Sequence, residues 1–279
     1  MIGSALITFL ETLGNFVTPL KRDQDFNPAQ GLINKEKLEN YDVIMNFCGA
    51  SLTESRWTKT RMQELYTSRI MPTRLLARAI HTLQKPPGLF LSASGVGFYG
   101  SQGNERLTEH SHCGTGFLAT LCRDWEYEAQ LAAGPNTRVV RLRMGVVLTK
   151  NQGALAKMVP AFTWGLGAQL GSGMQWMSWI TLSDLLWMTE FIIRHEAILG
   201  PVNACTPYPV TNKEFSEKLA KALYRPCFLR VPECMLRLFF GRMADEVVLA
   251  STRAFPEKIQ AIGFQFSHPE LPFSRILKS

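Results

Sequence analysis

The sequence predicts an α/β protein: a doubly wound parallel sheet followed by a smaller C-terminal α+β part. Three observations carry this. Strand-length apolar runs recur in "YDVIMNF", "LFLSAS" and "TRVVRLRMGVVL", the first of the unbroken type that is buried on both faces of a sheet. Amphipathic stretches of helix length separate them, which is the alternation of a parallel sheet crossed by helices. Small residues close the strand ends, at Gly49-Ala50-Ser51 and at Ser94-Gly95, where open α/β sheets let a ligand approach the backbone.

The elements follow in order. Ile2, Ala5, Leu6, Phe9, Leu10 and Leu13 share one helix face, and Gly14-Asn15 end that helix. Phe16, Val17 and Leu20 then read as a short buried strand emerging at Lys21, Arg22 and Asp23. In a parallel sheet such a helix normally follows a strand, and none precedes this one. The stretch before Glu11 has no Lys or Arg, which argues against a secretory signal. After the 43–47 strand comes a helix from Trp57 to about Leu83, closed by Pro86-Pro87-Gly88. "GFLATLCRDWEYEAQLAA" is the next helix. Beyond Lys150 the pattern changes. Glycines cluster from Gly153 to Gly173 among tryptophans, in a segment that reads as too irregular for a plain helix. "WITLSDLLWMTEFIIRHE" returns to helical spacing, "GPVNACTP" reads as a short strand, and Thr211 with Glu214 marks the start of another helix. The chain from Arg230 on reads as helices and loops.

Composition bounds the function. With 279 residues and 46% apolar content the chain can bury a substantial core. Charged residues interrupt every apolar run before it reaches the ~18–20 residues of a membrane span, so no membrane partner is expected. The net charge of +7 is scattered rather than blocked, which argues against nucleic acid and leaves a cofactor phosphate as the use of local basicity. Six cysteines without a CxxC pair suit reduced thiols in a cytoplasmic protein. The run His110–Cys113 has metal-ligand types but no second ligand cluster, so no metal is expected.

In their order, the segments "IGSAL", "NFCGAS", "RWTKTRMQELYTSRI", "SASGVGFYG", "FLATLCRDWE", "RLRMGVVL", "GALAKMVPAFTWGLGAQLGSGMQWMSWI", "GPVNACTPYPVTNKEF" and "FGRMADEVVLAS" resemble the atypical, epimerase-like branch of the extended short-chain dehydrogenase/reductases. Members are often labelled NAD-dependent epimerase/dehydratase. The resemblance spans essentially the whole chain. It implies a Rossmann-like cofactor domain at 1–150, with 180–205 returning to it, and a substrate-side subdomain at 151–179 and 206–279. It also implies a first strand and a turn of the form GGTGFIG, of which Ile2 and Gly3 alone stand here. A start assigned too late, or a truncated chain, is the reading this suggests.

Site residues follow from the same resemblance. Ile2 and Gly3 belong to the pyrophosphate turn. Lys21 and Arg22 stand where an NAD-specific protein usually has an acidic residue, so NADP is expected over NAD. Phe47, Cys48 and Gly49 line the adenosine side, Glu64 and Arg69 face the same pocket, and Val147 backs the nicotinamide. Extended short-chain reductases pair a Ser with a Tyr and a Lys four residues later. Ser94 stands at the serine position, but Leu118 and Cys122 occupy those of tyrosine and lysine and cannot replace them. Tyr99 is the nearest phenol, with Glu109 and Cys122 as lesser candidates. Met158, Trp176, Met177 and Trp179 are the expected lining of a small-molecule pocket. The expected function is an NADP(H)-binding epimerase or oxidoreductase acting on a small carbonyl or sugar-like substrate. The alternative is a cofactor-binding regulatory or interaction protein without turnover. Substrate and oligomeric state are left open.

Overall fold

In the computed structural model, which describes residues 1–150 and 152–277, the apolar run after Asp42 forms the strand Val43–Asn46. It pairs in parallel with Leu89–Gly95, Val43 opposite Leu89 and Asn46 opposite Ser92. The sheet continues through Arg138–Met144 to Gly200–Ala204. All residues of Leu89–Gly95 but the last are buried, as a strand covered on both faces must be. The longer helices are α1 (Ile2–Thr12), α2 (Lys59–Ile80), α3 (Phe117–Gln130), α4 (Gly153–Thr163), α5 (Leu182–Arg194), α6 (Asn212–Ala222) and α7 (Glu233–Phe240). The Thr58 hydroxyl starts α2 by accepting the Arg61 N–H at 3.1 Å, and Thr211 starts α6 by accepting the Glu214 N–H at 3.2 Å.

Two compact units divide the chain. The first comprises residues 1–94, 121–142 and 188–202, and the second 95–120, 143–187 and 203 onward. Residues 95–120 and 143–150 thus pack with the second unit rather than with the expected cofactor half. In the first unit Phe26, Ile44, Leu76, Ile80, Phe90 and Val139 form one core, each large side chain contributing about 1.5–3 kcal/mol by leaving water. The second unit has one cluster around Leu148, Leu155, Phe162, Trp179, Phe215 and Phe273, and another around Tyr99, Leu107, Cys205 and Ala254. Among the described residues no helix is long and apolar enough to cross a membrane, and no group of three His, Cys, Asp or Glu side chains is placed to hold a metal ion. None of the six cysteines is in a disulfide.

Two expectations are corrected. Residues 16–20 are not a buried strand. Phe16 is 83% exposed and stacks on Tyr41, whose hydroxyl bonds Thr18, and the segment joins no ladder. A strand needs a paired neighbour, and among the described residues none lies beside this one. Nor is 153–173 irregular throughout: Gly153 to Thr163 is the regular helix α4, burying Leu155 and Phe162, and Ala168–Leu170 is a strand parallel to Leu229–Val231. Leu155, Met158 and Phe162 recur at helical spacing within the glycine-rich run, which the glycine count obscured.

Candidate cofactor and active site

The expected adenosine-side residues occupy the turn that leaves Val43–Asn46. Phe47 is half-buried, and Cys48 and Gly49 are exposed. The Asn46 side chain, 1% exposed, anchors this turn: its Oδ1 accepts the Cys48 N–H at 3.1 Å and its Nδ2 donates to Thr73 Oγ1 at 2.7 Å. Thr73 in α2 also accepts from Trp125 Nε1 at 2.8 Å and donates to the Arg69 carbonyl at 2.7 Å. That oxygen therefore uses its one proton and both lone pairs.

Arg69 closes the turn from above. Its guanidinium donates to the carbonyls of Ala50 at 2.8 Å and Leu65 at 3.0 Å and lies 5.4 Å from the Trp125 ring. Burial lowers its pKa, and the two carbonyls compensate the buried charge. The group lies so close over Gly49 that a Cβ there would sit 2.9 Å from Arg69 Cζ. A larger residue there would have to displace the Arg69 side chain. Glu64 does not share this pocket. Five residues apart, the two side chains point about 140° apart around α2, and Glu64, exposed, pairs with Arg61 at 2.7 Å. Arg61 in turn holds the Ser51 carbonyl, so Glu64 is linked to the turn through Arg61.

Lys21 and Arg22 are exposed at a turn closed by Asp25, which accepts the Lys21 N–H at 3.0 Å and pairs with Lys37 at 2.9 Å. Lys37 first, then the Lys21 N–H, hold the Asp25 carboxyl below its ordinary pKa. Reduced solvation raises the Cys48 thiol pKa, and the Arg22 charge opposes the rise. Ile2 and Gly3 form the first turn of α1; Met1 gives it no side-chain cap, and the space around Gly3 is open. The turn at 47–49, the exposed Lys21 and Arg22, and the start of α1 are the groups of this unit that could hold a dinucleotide.

Ser94 is 2% exposed at the end of Leu89–Gly95 and donates to Glu126 Oε1 at 2.8 Å. Glu126 Oε2 lies 4.0 Å from Arg141. Leu118 and Cys122 on α3 are buried, and neither offers a proton donor of the usual kind.

In the second unit, Tyr99 is fully buried. Its hydroxyl lies 2.9 Å from the Thr108 carbonyl and 2.7 Å from Asn203 Oδ1, and accepts from Arg143 at 2.9 Å. Burial raises the phenol's pKa, more than Arg143 and Asn203 lower it. So placed, it holds the core together and keeps its proton. Glu109 is buried too, accepting the backbone N–H groups of Asn203 and Lys258. Val147 also lies in this unit, 9% exposed and paired in parallel with Ile180.

The four residues expected to line a pocket do not line one together. Trp179 is fully buried in the core cluster, its Nε1 donating to the Tyr208 carbonyl at 3.1 Å, and Met158 and Met177 pack against the same cluster. Trp176 points the other way, as neighbours on a strand must. It lines an open groove of about 430 Å³ with Tyr208, Arg253 and Phe255, donates to Asn104 at 2.8 Å and lies under the Arg253 guanidinium at 4.3 Å. Apolar residue type alone could not separate core from lining. Asn46, Thr73 and Trp125 escaped the sequence reading, although an Asn ending a buried apolar run was a usable signal.

Residues 1–205 match the NAD dependent epimerase/dehydratase family, and residues 231–272 match a domain of unknown function, DUF1731. Epimerase family protein ML0860 of Mycobacterium leprae is 38% identical over 275 residues, covering 96% of this chain and 89% of its own, and epimerase family protein SAR0825 of Staphylococcus aureus is 34% identical over 281 residues, covering 97% and 93%. A crystal structure of human epimerase family protein SDR39U1, isoform 2, with NADPH superposes with a TM-score of 0.91 at 31% identity, covering 100% of this chain and 96% of that one. With its parallel sheet, its strand-end turn and these relatives along nearly its whole length, the chain belongs to the NAD dependent epimerase/dehydratase family.

Proposed function

We propose that this chain binds NADP(H), in preference to NAD(H), and acts as an epimerase-like oxidoreductase on a small carbonyl or sugar-like substrate. The observation that carries the reading is the exposed pair Lys21 and Arg22, two cations at the turn closed by Asp25, where an NAD-specific protein usually has an acidic residue. The similarity to a human protein crystallised with NADPH supports it. In this reading Arg22 and Lys21 hold the adenosine phosphate, the turn at Phe47, Cys48 and Gly49 takes the adenosine, and the start of α1 faces the pyrophosphate. The nicotinamide would supply hydride transfer. Ser94, held by Glu126, is this chain's group for orienting a substrate oxygen or passing it a proton.

Replacing Lys21 and Arg22 together by Ala should weaken NADPH binding by about 1–3 kcal/mol, roughly 5- to 150-fold, because charge-assisted contacts to a phosphate are lost. NADH binding should be unchanged, so an equal loss for both cofactors would contradict the assignment. Ser94→Ala should abolish most turnover in a substrate screen while leaving NADPH affinity within about twofold. A specific observation favours a second reading, a cofactor-binding protein without turnover: Leu118 and Cys122 are buried apolar groups, and Tyr99 is sealed with its proton. Turnover unaffected by Ser94→Ala, or absent from a broad screen despite tight NADPH binding, would select it.

A further inference from the structure

We propose that a corner of the second unit docks on the surface of an anionic lipid bilayer. The corner is made of two chain segments. Trp164 and Leu166 follow α4, 82% and 63% exposed; Tyr224 and Phe228 follow α6, 92% and 77% exposed. Arg225 Nε donates to the Thr163 carbonyl at 2.8 Å and ties the segments together. They then enter one parallel ladder, Ala168 opposite Leu229, so that Leu166 and Phe228 approach it from the same end. Behind them Phe162, Leu223 and Cys227 pack into the core cluster, which gives the corner a fixed backing. Four large apolar side chains left in water at one place are unusual for a surface with no partner.

Charge decides between occupants. Residues 157–171 and 219–232 contain Lys157, Lys221, Arg225 and Arg230, all exposed, and no Asp or Glu, while the carboxylates Glu217 and Glu233 flank the second stretch, Glu233 in one pocket with Arg230, so four cations face two anions here. A second copy docking by the same corner would set these cations against their own kind. An apolar peptide groove would half-cover its lining, whereas Trp164, Tyr224 and Phe228 stand almost free. Projecting Trp, Tyr and Phe among cations match the headgroup boundary of an anionic bilayer, where the rings enter the interface and the cations meet phosphates. The expectation of no membrane partner rested on apolar run length, which detects spanning segments and not aromatic corners assembled by folding.

The test is co-sedimentation of the full chain with vesicles of equal parts phosphatidylglycerol and phosphatidylcholine, and with phosphatidylcholine alone. The chain should bind the mixed vesicles, more weakly as salt rises, and not the neutral ones. Trp164→Ser with Phe228→Ser, and separately Lys157→Glu with Lys221→Glu, should each weaken binding at least about tenfold. These positions are exposed, and circular dichroism melting of each variant checks that the fold is kept. A chain that stays in solution with the anionic vesicles overturns the proposal. So does binding that survives Trp164→Ser with Phe228→Ser, or a concentration-dependent dimer that this variant abolishes.

Discussion

Gly114→Ala should destabilise the second unit by about 3 kcal/mol or more, the upper end of the range for overpacking. A Cβ at this position would lie 2.0 Å from the Tyr99 carbonyl oxygen, 2.5 Å from its carbon and 2.9 Å from the Gly100 nitrogen. All three are backbone atoms, so no rotamer change relieves the clash. The Gly114 N–H also donates to the Phe98 carbonyl at 2.9 Å, so moving the two backbone segments apart breaks that bond as well. What moves is the segment that places Phe98 and Tyr99 against Arg143. At about 2–4 °C per kcal/mol for a unit of this size, the melting midpoint should fall by roughly 6–12 °C or more. Thermal melting followed by circular dichroism reads this directly, and an unchanged midpoint would mean the backbones are not in contact.

Thr73→Val should cost about 3 kcal/mol although it changes almost no volume. The hydroxyl it removes accepts from Asn46 Nδ2 and Trp125 Nε1, both buried, and donates to the Arg69 carbonyl. Leaving buried donors unpaired costs about 1–3 kcal/mol each. The effect should reach function, because Asn46 is also the group that holds the Cys48 N–H. Thr73→Ser keeps the oxygen and should retain most of the stability and cofactor affinity that Thr73→Val loses. Urea denaturation of both variants is the check. If valine and serine behave alike, the network carries no weight.

The sheet was legible because strands buried on both faces leave unbroken apolar runs, as at Val43, Ile44 and Met45, and because amphipathic helices repeat between them. The cap at Thr211 was legible for a local reason, an oxygen three residues before its partner. The segment at 16–20 was misread because composition states what a strand would like and not whether a neighbour pairs it. Within the candidate site, Arg69 and Gly49 could be pointed to by resemblance, but their relation could not. It rests on a contact between a helix and a turn twenty residues away. Trp176 and Trp179 show the same limit: three positions apart and chemically alike, one lines a groove and the other is sealed in the core. Tyr99 looked like an available phenol until Arg143 and Asn203, distant in sequence, were found to occupy its hydroxyl.

The measurement that bears most directly on the account is a fluorescence titration of the 279-residue chain with NADPH and, in parallel, with NADH. NADPH should bind saturably and at least about tenfold tighter than NADH, as a phosphate held by two cations requires. Equal affinity for the two cofactors, or no binding of either, would contradict it.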